Sequence, residues 1–251
     1  MNISIVGDSF GCGEWRYRKQ GNLKSLYVAH TGTQHYLSRA NHSVQNFAEG
    51  GASPDDILHQ IVVNKIKDQI LVVFATDSLR GQNMKYLVRE GESLYELHRL
   101  LFIRWLTNLK KITQQQKCDV LLIGGHANLY PFDHISNIQI CTGSWLSDIL
   151  GPVGELSGID TASLEMLNTE SLTDSDKHFV IDAITQREKR MEITKHQQHL
   201  MPDQLHPSHE CHQTLTQKIL QIVVQFLMKD IFGINMQKKL SKNGVHLFIF
   251  N

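Results

Sequence analysis

The stretch Gln69–Ala75, QILVVFA, is apolar after its first residue. Strands of a parallel sheet are covered by helices on both faces, so they are apolar throughout and show no alternation. We therefore expect this stretch to be a buried strand of a parallel sheet. Two further apolar runs, Asn2–Val6 (NISIV) and Asp119–Ile123 (DVLLI), each stop at glycine and predict two more strands. Ser43–Phe47 is a shorter strand candidate.

Helical patterns separate these strands. Ser53-Pro54-Asp55-Asp56 predicts a helix start, with a serine cap, a proline at the first position and acids near the positive end of the dipole. Apolar residues recur at helical spacing from Leu94 to Ile112, and 176–199 and 208–232 are further helix candidates. The alternation predicts an α/β fold, a three-layer α/β/α sandwich with a mostly parallel, flavodoxin-like sheet.

The segments between these elements are harder to assign. Residues 10–40 show no clear period, and we expect a loop with one short helix near Gln34–Ser38. The stretch 126–200 is longer than a crossover needs, so we interpret it as an insertion near the active-site face of a single domain spanning 1–251. Its part up to 172 is expected to be irregular. Val245–Phe250 (VHLFIF) is typical of a terminal strand whose place in the fold the sequence does not indicate.

Composition narrows the classes of function. The 25 basic residues balance 25 acidic ones, so no net charge favours nucleic acid or an anionic membrane. The longest apolar runs are strand-sized, and no signal peptide is recognisable, so we expect no membrane span and a cytoplasmic location. Four scattered cysteines form no CxxC pair, which argues against a disulfide framework or a zinc ribbon; Cys118 is expected to be a buried thiol. The oligomeric state is not indicated.

Three motifs fall just beyond predicted strands or before the last helix, where an α/β sheet places its ligands. Gly7-Asp8-Ser9 can present a serine hydroxyl on a tight turn. Asp203-Gln204-Leu205-His206 can supply both a base and the acid that fixes its tautomer. Asn46–Gly51 ends in two glycines, which allow a backbone N–H to approach a substrate closely.

Together these motifs resemble the SGNH/GDSL hydrolase family over residues 1–80 and 118–232. The resemblance implies a serine esterase that cleaves ester bonds through an acyl-enzyme on Ser9, with His206 and Asp203 completing a catalytic triad. The backbone N–H groups of Ser9 and Gly51 would be oxyanion donors. No cofactor or metal is implied, and the partner would be a small-molecule or carbohydrate ester, with O-acetyl or other short acyl groups as the best candidates.

The third family block departs from the pattern. The family has an asparagine after strand three, whereas this chain reads Phe74-Ala75-Thr76-Asp77, which places Thr76 at the asparagine position. Thr76 can donate one hydrogen bond, although its hydroxyl is shorter and less fixed than a carboxamide. Otherwise Asn83 or Asn128 substitutes, or the enzyme is slow. Asp77 is expected to brace the loop.

Two alternatives stay open. A chain that keeps this fold with an altered third block can be a non-catalytic binding module, for example for glycan. The cluster DQLHPSHECH, with His206, His209, His212 and Cys211, also allows a metal-dependent hydrolase, although His206 precedes the helix that carries the others. The basic run Arg187, Lys189, Arg190 and Lys195 is interpreted as a solvated helix face.

Overall fold

The computed structural model describes residues 1–20, 23–82, 93–165, 167, 170, 172–232, 235–241 and 244–250. Its strands are β1 (Asn2–Gly7), β2 (Glu14–Gln20), β3 (Leu23–His30), β4 (Ser43–Asn46), β5 (Ile70–Ala75), β6 (Asp119–Gly124), β7 (Ile138–Thr142), β8 (Asn235–Ser241) and β9 (Gly244–Phe250). Its helices are α1 (Ser9–Cys12), α2 (Thr33–Arg39), α3 (Pro54–Val63), α4 (Leu94–Gln115), α5 (Trp145–Leu150), α6 (Thr161–Glu165), α7 (Asp174–His196) and α8 (His209–Phe232).

The central sheet has five strands in the order β4-β1-β5-β6-β7. Every neighbouring pair in it is parallel. The prediction of an α/β fold with a parallel sheet is therefore confirmed. Because the strands are parallel, their carboxyl ends meet at one edge, and the loops that leave β1, β4, β5 and β6 converge there.

Each face of the sheet carries its own hydrophobic cluster. One contains Ile3, Val72 and Leu121, and α8 packs on it through Leu215 and Ile219. The other contains the alternate strand residues, packed against α3 and α4. All six residues of β5 are buried, as a central strand of a three-layer sandwich requires. The helix start at residue 53 is also confirmed, because Ser53 and Asp56 form a capping box ahead of Pro54.

The insertion segment (126–200) is more ordered than we expected. Its strand β7 extends the central sheet by pairing with β6, and it also carries α5, α6 and α7. Residues of the insertion pack with Leu79 and Leu94 in a third hydrophobic cluster. The prediction of an irregular stretch from 126 to 172 is wrong, because short elements in this segment find tertiary partners that sequence periodicity does not reveal.

Two hairpins lie outside the central sheet. Residues 10–40, which we expected to be mostly loop, contain the antiparallel pair β2–β3 before α2. Val245–Phe250 is a strand as predicted, and it pairs with β8 in a two-stranded sheet of its own. Cys118 is buried, and all four cysteines are free thiols. Among the described helices, none has the length and apolarity that a bilayer crossing demands.

Candidate active site

The turn after β1 presents Ser9 at the carboxyl edge of the sheet. Asp8 caps the short helix α1, its Oδ1 accepting the N–H of Phe10 at 3.0 Å. Gly7 has a φ of +144°, and a Cβ there would lie 2.6 Å from the Cβ of Phe74, so only glycine lets β1 and β5 approach this closely. The side chain of Gln60, on α3, accepts a hydrogen bond from the N–H of Gly7 and donates one to its carbonyl. The serine therefore sits on a rigid turn.

The loop before α8 builds a histidine–aspartate pair from one short segment. The Oδ1 atom of Asp203 accepts the N–H groups of Leu205 at 3.0 Å and His206 at 2.7 Å, and Gln204 turns the chain with a φ of +67°. This turn brings the Oδ2 atom of Asp203 to 2.6 Å from the Nδ1 atom of His206. The buried carboxylate accepts a hydrogen bond from Nδ1–H of His206, which leaves Nε2 as the unprotonated, basic nitrogen.

Ser9 and His206 meet although 197 positions separate them. The serine Oγ lies 2.8 Å from His206 Nε2, within the interval that proton transfer requires. Trp15 supports both groups: its Nε1–H donates to the carbonyl of Ser9 at 2.8 Å, and its ring lies 5.3 Å from the His206 ring. Serine, histidine and aspartate are thus joined in the order that lets the histidine take the serine proton while the aspartate stabilises the resulting charge.

The thiol nearest to this serine is not a competing nucleophile. Burial, followed by the charges of Asp8 and Glu49, raises the pKa of Cys12 to about 12. The protonated thiol lies 3.2 Å from the carbonyl of Ala48 and donates to it. A thiol with this pKa is almost fully protonated at neutral pH, so Cys12 is a weaker candidate nucleophile than Ser9.

The segment that ends in Gly51 runs along the nucleophile turn. Phe47 N–H donates to the carbonyl of Ile5 at 2.8 Å, and Glu49 N–H donates to that of Gly7 at 3.1 Å. Asn46 adds a bond from its Nδ2 to the carbonyl of Gly11. Gly51 itself has a φ of +82° and is exposed, with open space where a Cβ would stand. Its role as an oxyanion donor remains a prediction.

Thr76 and Asp77 follow β5 and have different surroundings. Thr76 Oγ1 is buried without a hydrogen-bond partner of regular geometry in the described structure, although it lies close enough to Asp8 to influence that carboxyl. Burial raises the pKa of Asp8, opposed by Arg80, the Phe10 N–H, Thr76 and His206. The Thr76 hydroxyl thus lies beside the nucleophile turn and close to Asp8, and its oxyanion role stays a prediction.

Asp77 braces its loop as expected. Its Oδ1 accepts the N–H of Leu79 and lies 2.8 Å from His98 Nε2, and its Oδ2 accepts the N–H of Asp160 at 2.7 Å. These bonds tie the insertion segment to the end of β5. Of the two asparagines considered as substitutes, Asn83 lies outside the described residues, and Asn128 lines a neighbouring cavity with His98.

A cavity of about 180 Å³ opens beside the serine and its base. Nine residues line it: Ser9, Arg80, His126, Ile159, Asp160, Arg187, Arg190, Leu205 and His206. The interpretation of the basic run 187–195 as a solvated face is wrong for Arg190, which is only 3% exposed. Arg187 also borders the cavity and donates to the hydroxyl of Thr161, whereas Lys189 and Lys195 are exposed as expected.

Several residues of this site were missed from the sequence. Arg187 and Arg190 are three apart on a helix, and this spacing places them on one face, but nothing local shows that the face turns toward Ser9. Arg80 follows the third block by a few residues, which is a weak signal. Trp15 and His126 carry no recognisable motif.

The histidine cluster of DQLHPSHECH is dispersed in space. His206 faces Ser9, His209 lies 2.6 Å from the Glu14 carboxylate, and His212 Nδ1 lies 2.9 Å from the hydroxyl of Thr33. Within the described ranges, no three His, Cys, Asp or Glu side chains are grouped as a metal site would need. The residues are engaged separately, so their geometry does not support the metal-dependent alternative.

The structure is thus an α/β protein in which serine, histidine and aspartate side chains are linked by hydrogen bonds at the carboxyl edge of the sheet. The chain is similar to a lipolytic protein of the G-D-S-L family from Desulfitobacterium hafniense DCB-2, with a TM-score of 0.42 and 10% identity over 88% of this chain and 98% of that one. It is also similar to the psychrotrophic esterase EstA from Pseudoalteromonas sp., with a TM-score of 0.42 and 14% identity over 90% and 98% of the two chains.

A GDSL-like lipase from Bacteroides uniformis ATCC 8492 gives a TM-score of 0.40 and 16% identity over 89% of this chain and 95% of that one. No protein-family model and no curated protein matches the chain.

Proposed function

We propose that this protein is a carboxylic ester hydrolase that works through an acyl-enzyme on Ser9. The observation that carries the proposal is the unbroken chain of contacts from Ser9 Oγ to His206 Nε2 at 2.8 Å and from His206 Nδ1 to Asp203 Oδ2 at 2.6 Å. This is the arrangement that activates a serine for acyl transfer.

In the proposed reaction, His206 takes the Ser9 proton as Oγ attacks the ester carbonyl. The N–H groups of Ser9 and Gly51, with the buried hydroxyl of Thr76, would stabilise the oxyanion. The alkoxide leaves with the proton from His206. Water then gives its proton to His206 and attacks the acyl carbonyl, which releases the acid and returns the proton to Ser9.

The cavity favours a short acyl group on a polar molecule. Its volume of about 180 Å³ is smaller than the pockets of roughly 300–1,000 Å³ that hold drug-sized ligands. Only Ile159 and Leu205 among its lining residues are aliphatic, so a long fatty acyl chain would find little apolar surface there. O-acetyl or another short acyl ester of a carbohydrate suits these dimensions best.

A fluorophosphonate probe tests the proposal directly. Ser9 Oγ would displace fluoride and form a stable phosphonate ester, while His206 takes the proton. We expect labelling of the wild-type protein, none of Ser9→Ala, and full labelling of Ser38→Ala, in which an exposed serine on α2 is removed. Hydrolysis of p-nitrophenyl acetate should follow the same order, with a loss of about 10⁵- to 10⁶-fold in kcat for Ser9→Ala.

Equal absence of label from the wild-type protein and Ser9→Ala, with no hydrolysis above a heat-treated control, would contradict the proposal. Saturable glycan binding that survives Ser9→Ala would then identify the protein as a non-catalytic module of the same fold.

A further inference from the structure

The cavity beside Ser9 is bordered by three guanidinium groups. Arg80 comes from the loop after β5, while Arg187 and Arg190 come from α7 in the insertion segment. One carboxylate, Asp160, borders the same space. A wall of this composition has a positive potential wherever the arginines lack partners.

The charge of Arg80 is balanced by two carboxylates. Its Nη1 lies 3.4 Å from the buried Oδ2 of Asp8, and its Nε lies 3.5 Å from Oδ2 of Asp160. Arg80 therefore neutralises the acids already present, including the one acid that lines the cavity.

Arg190 has no such partner in the described part of the chain. Its side chain is 3% exposed, its Nη1 is buried without a hydrogen-bond partner, and no described carboxylate forms an ion pair with it. Burial and the neighbouring Arg187 lower the pKa of Arg190 to about 10, so it still carries its charge at neutral pH. A buried unpaired guanidinium is costly to the fold unless a ligand pairs with it.

His126, on the same wall, experiences this positive charge. Desolvation, then Arg190, Arg80, His206 and Arg187, lower its pKa well below 6.5, so it is neutral at neutral pH. A neutral imidazole can still donate one N–H to an anion. Among the residues that the structure describes, the wall thus offers a cation without a carboxylate partner and a neutral donor, both next to Ser9.

We propose that the ester cleaved at Ser9 carries an anionic group, a carboxylate, sulfate or phosphate, that pairs with Arg190 in this cavity. The inference rests on the proposed esterase function and adds the charge of its substrate. Guanidinium forks bind planar or tetrahedral oxyanions through paired hydrogen bonds, which suits each of these groups. Arg187, from the same face of α7, lies close enough to assist.

Two pairs of matched esters test the proposal and locate the anion. On the acyl side, 4-nitrophenyl hydrogen succinate is compared with 4-nitrophenyl butyrate. On the alcohol side, 4-acetoxybenzoate is compared with its methyl ester. Within each pair the ratio of kcat/KM, anionic over neutral, is measured for the wild-type protein and for Arg190→Met, so that intrinsic reactivity cancels.

We expect the ratio of at least one pair to fall about 10- to 100-fold in Arg190→Met, because a charge-assisted hydrogen bond pair is lost. Arg190→Lys should recover part of it. Lys189→Met, which removes an exposed cation one position away on the same helix, should leave both ratios at their wild-type values. Circular dichroism and thermal unfolding verify that each variant is folded.

Calorimetric titration with inorganic phosphate provides a measurement that needs no catalysis. Phosphate affinity should fall at least about tenfold in Arg190→Met and stay unchanged in Lys189→Met. The proposal is overturned if Arg190→Met alters neither phosphate affinity nor either ester ratio. Failure of the esterase proposal gives a different result. The wild-type protein would then neither react with the fluorophosphonate nor hydrolyse the neutral esters.

Discussion

Two histidine–aspartate pairs lie at the carboxyl edge of this sheet, and they differ in the group that completes them. His206 Nδ1 lies 2.6 Å from Asp203, and His98 Nε2 lies 2.8 Å from Asp77. The difference is on the second ring nitrogen. His206 faces the hydroxyl of Ser9, whereas His98 faces the phenol of Tyr130.

The phenol is a poor reaction partner. Burial, then the charges of Tyr95 and Asp77, raise the pKa of Tyr130 above its ordinary value of 10.0. Tyr130 therefore stays protonated, and its hydroxyl donates a hydrogen bond to His98 Nδ1. The other ring nitrogen, Nε2, then carries the hydrogen that is donated to Asp77. A histidine–acid pair is thus a brace in one place and, in the proposed reaction, a general base in the other, according to the group that completes it.

Substituting the two aspartates should give the largest difference in kcat between the two histidine–aspartate pairs. Asp203→Asn is expected to lower kcat for p-nitrophenyl acetate about 10⁴-fold, because the wrong histidine tautomer is favoured. Asp77→Asn is expected to lower kcat by roughly tenfold or less, because Asp77 touches neither Ser9 nor His206. Steady-state kinetics of both folded variants measure the difference, and similar losses in the two would break the distinction.

Thr76, directly before Asp77, tests whether the end of β5 also contributes to the reaction. Thr76→Val removes the buried hydroxyl at nearly constant volume, and we expect kcat to fall about 10²-fold with little change in KM. Thr76→Ser keeps the donor and is the matched control. If the valine variant is as active as wild type, the oxyanion is stabilised without Thr76.

Tyr130→Phe should lower stability while leaving the triad intact. It deprives His98 Nδ1 of its donor in a buried site, so the free energy of unfolding should fall by about 1–3 kcal/mol. Urea unfolding measures the change, and Tyr17→Phe, at a tyrosine that is 43% exposed, is the control. An unchanged unfolding midpoint for Tyr130→Phe would show that the second pair is not a brace.

The sequence predicted those parts of the site whose residues lie together in one short segment of the chain. Asp203 and His206 meet within a single turn, and Gly7-Asp8-Ser9 follows a strand whose apolar pattern is unmistakable. The parallel sheet could also be predicted from the sequence, because every residue of β5 is apolar, as a strand buried on both faces requires.

The missed parts depend on contacts that no local pattern shows. The strand β3 is exposed or only partly buried along its length, so it lacks the apolar signal of a core strand. Arg190 lies on a polar helix, and only its burial beside the cavity that Ser9 also lines distinguishes it from the exposed Lys189. The positive charge beside the cavity is therefore a property of the tertiary structure.

The buried His212 has no aspartate partner among the described residues, and it should contribute to the pH dependence of stability. It lies against the hydroxyl of Thr33 and the ring of Trp145. Burial lowers its pKa from 6.5 to about 3; the Gly13 backbone and Glu14 oppose this effect, and His30 and His206 reinforce it.

Between these values the unfolded chain binds a proton that the folded chain does not, so stability falls as the pH falls from about 6.5 toward 3. The slope due to this residue reaches about 1.4 kcal/mol per pH unit. Urea unfolding of His212→Gln at a series of pH values should show a shallower dependence in this window than wild type. His196→Gln, at a histidine whose side chain is 78% exposed, should follow the wild-type curve. Parallel curves for wild type and His212→Gln would mean that His212 takes up a proton in the folded state as readily as in the unfolded one.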